Sequence, residues 1–388
     1  MTLSAVVNDA SSDSVEAGSS LGKEIRAVFK GERPDAVIVF ASPRHDFSAL
    51  LKALQASCSP KILIGSSSAG EFTSATHGEG LACAIALGNP QMEFSLGVGR
   101  NLSRDRKLAS NQVTSSFKGL AGRQFEHRAA LVLADALAGQ ADELVEHLTV
   151  GTGASYSLFG GGAGGDDNFE KRFVFAGTEV ISDAVVALEI LSHKPIGVGV
   201  RHGWTPKSPA LRVTEAEGMR LGSLNAAPAA EVFADHAAAT GQKFDLAQPL
   251  PFFLHNILGV DTGNGHKLRV PLTVNADRSV AFATEVPAGA TAAIMCVSAD
   301  SAAAAAAESA RDALNQLGGH KPAVALFFDC VATRLRMGKE FGFELKAVQE
   351  VLGEVRFAGC NTIGQIARVD GQFSGFHNCT AVVCVLPD

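Results

Sequence analysis

Three stretches of the chain repeat one plan, and each places a glycine-rich turn where a strand ends. The first runs through a strand over Asp35–Ala41, a helix over Phe47–Ala56, a strand over Lys61–Gly65, a turn to Gly70 and an apolar strand over Leu81–Gly88. The second has a strand at Ala129–Asp135, a helix at Ala141–Leu148, the strand and turn of Ser157–Asn168, and strands at Arg172–Thr178 and Ala184–Ser192. The third opens at Pro322–Cys330, continues through a helix at Phe343–Leu352 and the segment Val355–Gln365, and closes at Phe376–Pro387. A glycine turn recurring at one structural place demands positive φ or close backbone approach there. Turns at strand ends are where α/β proteins build pockets. The repeats lie too far apart for a solenoid. The pattern predicts an α/β fold in which repeated β-α-β-turn-β units form layered mixed sheets covered by helices, in two domains, around a ligand site.

Composition narrows the function classes. A chain of 388 residues with 46% hydrophobic and 19% charged residues has ample length for buried cores and little scope for disorder. The net charge is −7 and the Lys and Arg residues are scattered. Nucleic acid is therefore excluded as a partner, because its backbone needs a clustered basic face. No apolar run approaches the length of a membrane span, about 20 residues. Met1–Ser19 is polar and acidic, without the basic and apolar regions of a secretory signal, and residues 1–22 are expected to be a flexible leader. Seven cysteines without framework spacing, with Cys83, Cys296 and Cys384 in apolar runs, predict reduced thiols and a cytoplasmic protein.

Between the second and third repeats the pattern changes. Gly203–Gly218 predicts a turn-rich strand pair, Leu224–Thr240 a helix opening near Pro228, and Gly241–Phe253 a linker. Lys267–Asn275, Ser279–Pro287 and Thr291–Ser298 predict three short strands. Ser298–Gly318 is the clearest helix, and its alanine run predicts close packing on a sheet.

Several motifs carry chemistry only conditionally. Gly160–Gly165 contains a literal GxGxxG, but a strand follows it where a dinucleotide site needs a helix. Asp166 and Asp167 at the loop mouth would also repel a phosphate. The turn Gly65–Gly70 is no nucleophile elbow, since Ala69 stands where the second glycine belongs. Its hydroxyls and Glu71 either cap the turn or meet a polar ligand. Zinc spacing is absent: the chain has no CxxC, HExxH or close His pair. His202, His255, His266 and His377 are candidates for a haem iron, which needs one protein nitrogen and an apolar slot; each also reads as an ordinary hydrogen-bonded histidine. Cys330, Cys360 and Cys379 would hold an iron–sulfur cluster if they converged, and otherwise read as buried apolar residues. Cys330 ends a strand near Arg334, a cation able to lower a thiol pKa.

These segments together resemble the FIST family. Ile64–Phe72, Leu158–Asp167, Gly197–Pro206 and Leu224–Phe233 are similar to its N-terminal domain, in the family's order. Phe327–Gly338, Gly359–Ala367 and Phe376–Thr380 are similar to its C-terminal domain. Thr333 stands where the family has Arg, with Arg334 beside it, and Gln365 replaces a Glu. The resemblance implies a FIST N-terminal domain at 23–245, a FIST C-terminal domain at 246–388, and a sensor rather than an enzyme. One family branch binds haem and senses nitric oxide, so the resemblance implies haem as cofactor and a diatomic gas as signal; His202, which flanks Trp204 and a tight turn, is the first candidate for the iron ligand. The haem gas sensor is the preferred reading, with an amino-acid-like small ligand as its alternative. Either would act through a partner histidine kinase or cyclic-dinucleotide enzyme, and a homo-oligomer is compatible. The ligand-contact candidates are Gly65, Ser66, Glu71, Gly161, Gly162, Asp166, Trp204, Cys330, Arg334, Gly359, Cys360, Gly364 and Gln365. An iron–sulfur sensor and a Cys330-dependent enzyme remain the alternatives.

Overall fold

In the computed structural model, which describes residues 2–122, 124–165, 172–369 and 375–388, the three repeats become three units with one element order. The first unit is β1 (Leu3–Asp9), α1 (Ser14–Val28), β2 (Ala36–Ala41), α2 (Phe47–Cys58), β3 (Ile62–Ser67), the hairpin β4 (Glu71–Thr73) and β5 (His77–Gly78), and β6 (Ala82–Gly88). The second is β7 (Met92–Arg100), α3 (Arg106–Thr114), β8 (His127–Ala134), α4 (Ala141–Gly151), β9 (Ser157–Gly162), the hairpin β10 (Val174–Ala176) and β11 (Glu179–Ile181), and β12 (Ala184–Ser192). The third opens with β13 (Gly197–Arg201) and is then interrupted. The insertion comprises β14 (Thr205–Pro206), β15 (Leu211–Glu217), β16 (Arg220–Leu224), β17 (Ala227–Pro228), α5 (Ala229–Thr240) and α6 (Leu250–Phe253). It continues with β18 (Ile257–Asp261), β19 (His266–Arg269), β20 (Pro271–Val274), β21 (Val280–Phe282) and β22 (Thr291–Cys296). The unit resumes with α7 (Ala299–Gln316), β23 (Pro322–Cys330), α8 (Val331–Met337), α9 (Phe341–Leu352) and β24 (Phe357–Thr362). The hairpin β25 (Gln365–Arg368) and β26 (Gly375–His377) and the strand β27 (Ala381–Pro387) complete it.

The leader expected over residues 1–22 is instead β1 and the first half of α1. β1 pairs antiparallel with β6 along its length, Leu3 opposite Gly88 and Asp9 opposite Ala82. The segment reads as polar because it lies at a sheet edge and on the surface. In α1 only one face is buried, through Ala17, Leu21 and Ile25, and Asp13 caps the helix by accepting from the Glu16 amide.

Counted over the described residues, three six-stranded sheets share one order: β1-β6-β2-β3-β10-β11, β7-β12-β8-β9-β25-β26 and β13-β27-β23-β24-β4-β5. The pairs β2–β3, β8–β9 and β23–β24 are parallel, as a strand–helix–strand crossover requires. The hairpin at the far edge of each sheet is borrowed. The second unit lends β10–β11 to the first sheet, the third lends β25–β26 to the second, and the first lends β4–β5 to the third. The exchange is cyclic.

The inner faces of the three sheets meet in one core that includes Ile38, Phe40, Leu131, Leu133, Leu326 and Phe328. Phe328 packs edge-on against Phe40, with ring centroids 5.6 Å apart, and lies 6.3 Å from Phe159. The outer faces are covered by α1 and α2, by α3 and α4, and by α7 and α9. The alanine run predicted to lie close on a sheet does so: Ala302, Ala306, Ala310 and Ala313 are buried against the third sheet. One glycine recurs at a fixed register, Gly65 opposite Val39, Gly160 opposite Val132 and Gly359 opposite Phe327. A Cβ there would sit 1.9, 2.1 and 1.7 Å from the carbonyl oxygen of that partner, so only glycine lets the parallel strands close up.

The insertion forms a nine-stranded sheet among the described residues. The stretch expected as a linker, 241–253, lies inside it and carries α6, whose Phe252 and Phe253 pack on Phe233 of α5. The helix expected from Leu224 starts at Ala229, because Arg220–Leu224 and Ala227–Pro228 are strands. The expected strand over 267–275 is two strands, divided at Val270 before Pro271. No helix of the described residues is long and apolar enough to cross a membrane.

Candidate functional site

The glycine turns dock on neighbouring units through one repeated pair of backbone hydrogen bonds. In the first unit's turn the Ala69 amide donates to the Asn361 carbonyl (3.0 Å), and the Asn361 amide donates to the Gly70 carbonyl (2.8 Å). The third unit's turn does the same on the second: Ile363 N–H to Gly162 O and Gly162 N–H to Gly364 O, both 3.0 Å. The second unit's turn does it on the first: Gly164 N–H to Ser67 O and Ser67 N–H to Phe173 O, both 2.9 Å. Ser67, Gly162 and Asn361 therefore occupy one structural position in three copies.

Their side chains differ in what they meet. Ser67 Oγ donates to the Gly164 carbonyl (2.6 Å) and accepts from the Phe173 amide (2.9 Å), which closes its junction. At Gly162 a Cβ would lie 2.3 Å from Ile363 O and 2.5 Å from Ala136 Cβ, so that junction has no room. Asn361 is 1% exposed, and neither atom of its amide has a hydrogen-bond partner. Its Oδ1 lies 2.7 Å from the point where a Gly70 Cβ would stand, and the Nε of Arg334 lies 3.0 Å from that point. Arg334 Nε is likewise unpartnered, while the guanidinium Nη1 pairs with Glu79.

Over this junction a cleft of about 530 Å³ opens, within the range of small-ligand sites. Ser68, Ala69 and Gly70 form its floor, beside Gly165 of the second unit's turn, and Ser42, Arg44, Glu79 and Gly80 also line it. Val331, Arg334 and Leu335 of α8 form a wall, with Leu250 of α6 at the rim. The helix that supplies Arg334 exists because β23 runs directly into α8 at Cys330, before α9 begins.

Glu71 lies just beneath, 1% exposed. It accepts from the Ser68 hydroxyl and from the Leu81 amide at 3.0 Å. Burial pushes its carboxyl up to about 8, against the opposing pull of those two hydrogen bonds and of Arg334. Gln365 is its counterpart in the third unit, donating to Thr362 Oγ1 (2.9 Å) and accepting from the Thr380 amide (3.2 Å). Ser68–Glu71 and Thr362–Gln365 are thus one staple across the turn, made with an acid and with an amide.

The other predicted contacts are scattered. Gly65 and Gly359 are the close-packing glycines between parallel strands. Ser66, Gly161 and Cys360 share the next register position, opposite Phe40, Leu133 and Phe328, and are buried. Gly162, Gly364 and Gln365 belong to the sealed junction between the third and second units. Trp204 and Cys330 lie in an apolar cluster under the insertion. Asp166 lies outside the described residues. Among the described residues of the predicted set, Glu71 and Arg334 alone reach the cleft or its underside.

The iron–sulfur expectation fails on geometry. Cys330 and Cys379 share one cluster, whereas Cys360 lies in the central core near Cys83. Among the described residues no group of three or more His, Cys, Asp or Glu side chains converges on a point that would hold a metal ion. Cys330 does have a thiol lowered to about 6, but its causes are the Cys379 thiol first, then backbone amides of Cys379, Ala332 and Gly364, rather than Arg334. At 3% exposure it is closed to a substrate.

Haem does not fit at His202. Burial lowers that imidazole's pKa, and its Nε2 lies 3.0 Å from the His266 carbonyl. The hollow beside it, lined by Trp204, Arg336, Glu344 and Cys379 among others, holds about 10 Å³, room for roughly one water. His377 is buried and pushed down to about 3 by desolvation. His255 reaches a cleft of about 460 Å³ lined by Gln242, Lys243, Asp245 and Gln248 as well as Pro251 and Phe252, a mixed surface and not the apolar slot a porphyrin needs.

Residues 35–227 match the family model described as the FIST N domain, and residues 229–368 match the FIST C domain. The chain belongs to the FIST family. FIST domains are associated with sensing small ligands in signalling proteins. The two FIST segments are interleaved here, since β13, β4 and β5 of the FIST N part complete a sheet with β23 and β24 of the FIST C part. No curated protein matches the chain by sequence. Among solved structures it is similar to a cyanuric acid hydrolase from A. caulinodans, with 8% identity over 99% of each chain and a TM-score of 0.33. It is also similar to phosphoribosylformylglycinamidine synthase II from Thermotoga maritima, with 12% identity, a TM-score of 0.25, and 100% of this chain and 72% of that chain covered. Scores this low carry no argument about chemistry in a FIST protein.

Sequence reading missed Ser42, Arg44, Glu79, Leu250 and Asn361. Asn361 was within reach, because aligning the three FIST turns on their close-packing glycine sets it against Ser67 and Gly162. Glu79 and Leu250 had no local signal; a borrowed hairpin and an insertion bring them to the cleft.

Proposed function

We propose that this FIST protein is a small-ligand sensor that binds its ligand in the cleft between the first unit's turn and α8. The observation that carries this reading is the asymmetry of the junctions among the described residues: the Ser67 hydroxyl and the Gly162 contacts close two of them, and the third holds an open, charged cleft over an unpartnered buried amide. The cleft joins residues of the first and third units and of the insertion, so a bound ligand would shift α8 against the first sheet. Such a shift transmits a signal only if the ligand favours one arrangement over the other. The output acts in trans on a partner histidine kinase or cyclic-dinucleotide enzyme, an assignment that rests on the family setting. The Ser68–Glu71 contact supports sensing over catalysis, because its twin Thr362–Gln365 makes the same staple in a sealed junction. Haem and nitric oxide are left out of the reading, since neither His202 nor His255 offers a porphyrin slot.

The test is a thermal-shift screen against pools of amino acids, organic acids, amines and nucleobases, with hits mapped by hydrogen exchange. Protection of residues 68–81 and 331–336 is expected. Hits that protect only other regions, or no hit in any pool, would sink the proposal.

A further inference from the structure

Resting on that reading, we infer that the Arg334–Glu79 ion pair is a latch displaced by the ligand, a small carboxylate carrying a neighbouring hydroxyl or amino group that the Asn361 amide reads. The starting point is an unusual pair of orphans. Buried amides and guanidinium N–H groups are almost always hydrogen-bonded. Here both atoms of the Asn361 amide and the Nε–H of Arg334 are unpartnered, and they flank the same bare face of Gly70. Gly70 lines the cleft and has no side chain, so a ligand on the floor can approach both groups past its Cα.

Arg334 is half used. Its Nη1 meets the carboxylate of Glu79, while its Nε–H, one half of the guanidinium's other two-point edge, has no partner. Glu79 is the more exposed partner, at 53% against 20% for Arg334, and it sits on the turn before β6. It is therefore the partner free to leave. Among the described residues, the formal charges lining the cleft are Arg44, Arg334 and Glu79, a set complementary to one negative charge. Glu71 beneath adds little to that count, because burial raises its pKa to about 8 and keeps it largely protonated at neutral pH. The Asn361 amide offers one acceptor and a donor pair, which match a hydroxyl or an amine beside the carboxylate. A ligand carboxylate on that second edge sets its charge against that of Glu79 across one guanidinium, which drives Glu79, the more exposed partner, into solvent, and the 79–80 turn and α8 lose their direct tie. That loss is the conformational readout.

The test titrates the full chain calorimetrically at pH 7 with lactate, L-alanine, propionate and inorganic phosphate. Binding of lactate or L-alanine ahead of propionate and phosphate is expected. Glu79→Gln removes the internal competitor and should tighten that binding by about fivefold, while Arg334→Lys weakens it by about tenfold or more. Asn361→Ala should cost about fivefold for lactate or L-alanine and leave propionate unchanged. Glu79 is exposed, so its variant folds and keeps the test decisive even if a buried variant does not. Glu79→Gln binding no tighter than wild type overturns the latch. Preference for phosphate overturns the carboxylate assignment, and Asn361→Ala weakening all probes alike overturns the reader role. If neutral or cationic compounds from the pools protect the cleft while none of these carboxylates binds, the latch falls and the sensor reading stands.

Discussion

At Ser67, a hydroxyl bridges two strands' backbone and nothing is left over; at Asn361, the same position in the third sheet, an amide of similar polarity bonds to nothing. Each position makes the same pair of backbone bonds to the docked segment, with Ala69 and Gly70 at Asn361 and with Gly164 and Phe173 at Ser67. What differs is the unit behind it. Behind Ser67 the second unit's turn supplies the partner groups, whereas behind Asn361 the short helix α8 holds Arg334 away towards Glu79. The lesson is that the repeat supplies the frame and its departures from itself supply the chemistry.

The frame should be the harder part to damage silently. Gly359→Ala would drive a methyl into the Phe327 carbonyl, with a cost of about 3 kcal/mol or more. Gly65→Ala and Gly160→Ala should cost similar amounts in urea unfolding if the three units are equivalent. A much milder effect at one of them would show that its parallel pair is looser than the others.

The next effect separates the two staples. Glu71 has a folded pKa raised to about 8, above its unfolded value, so the native state holds its proton more tightly than the unfolded chain. Its contribution is present at low pH and is lost as pH climbs towards 8, a fall on the order of 3 kcal/mol between pH 5 and pH 8. Glu71→Gln, which copies the amide of the third unit, should remove that share of the slope. The slope will not vanish, since burial also raises Asp329 and Glu344, which face each other between β23 and α9. An unchanged slope in chemical denaturation across this range would mean that Glu71 is ionised in the folded protein.

Smaller still is the contrast between the paired positions. Ser67→Ala leaves the Phe173 amide and Gly164 carbonyl without their hydroxyl and should cost about 1 to 2 kcal/mol. Asn361→Ala removes two orphaned atoms and should stay within about 1 kcal/mol of wild type. Equal losses at both sites, read from denaturation midpoints, would place Asn361 among the structural hydrogen-bonders. The smallest change is Glu79→Gln without ligand, about 0.5 kcal/mol or less, because exposed ion pairs add little.

Much of the frame was legible because its signals are local. Apolar runs such as Ala36–Ala41 and Val324–Phe328 announce strands buried on both faces, and a glycine at each turn announces a close approach. β1 escaped notice because half of an edge strand faces water and its partner, β6, lies far along the chain. The site was legible only in part. Glu71 and Arg334 stand in motifs, but the cleft depends on which hairpin docks where, and loop-closing contacts of that kind leave no periodic trace. Cys330, Cys360 and Cys379 misled for the converse reason: closeness in sequence places them in one repeat, while Cys360 sits mid-strand opposite Phe328 in the central core, and Cys330 at its strand's end and Cys379 in the turn before β27 lie under the insertion.

The cyclic loan of hairpins makes the molecule a closed ring in which every sheet is finished by a different unit. The ring closes where the chain ends meet: the Thr2 amide donates to Asp388 Oδ1 at 2.7 Å, and the Thr2 hydroxyl to the Pro387 carbonyl at 2.7 Å. The FIST N and FIST C segments therefore cannot be parted like beads on a string, because cutting between them leaves the third sheet without its outer strands. A circular permutant that joins the two ends and opens between β6 and β7 would keep every strand pairing, since the sheets depend on the order of units around the ring and not on which unit comes first.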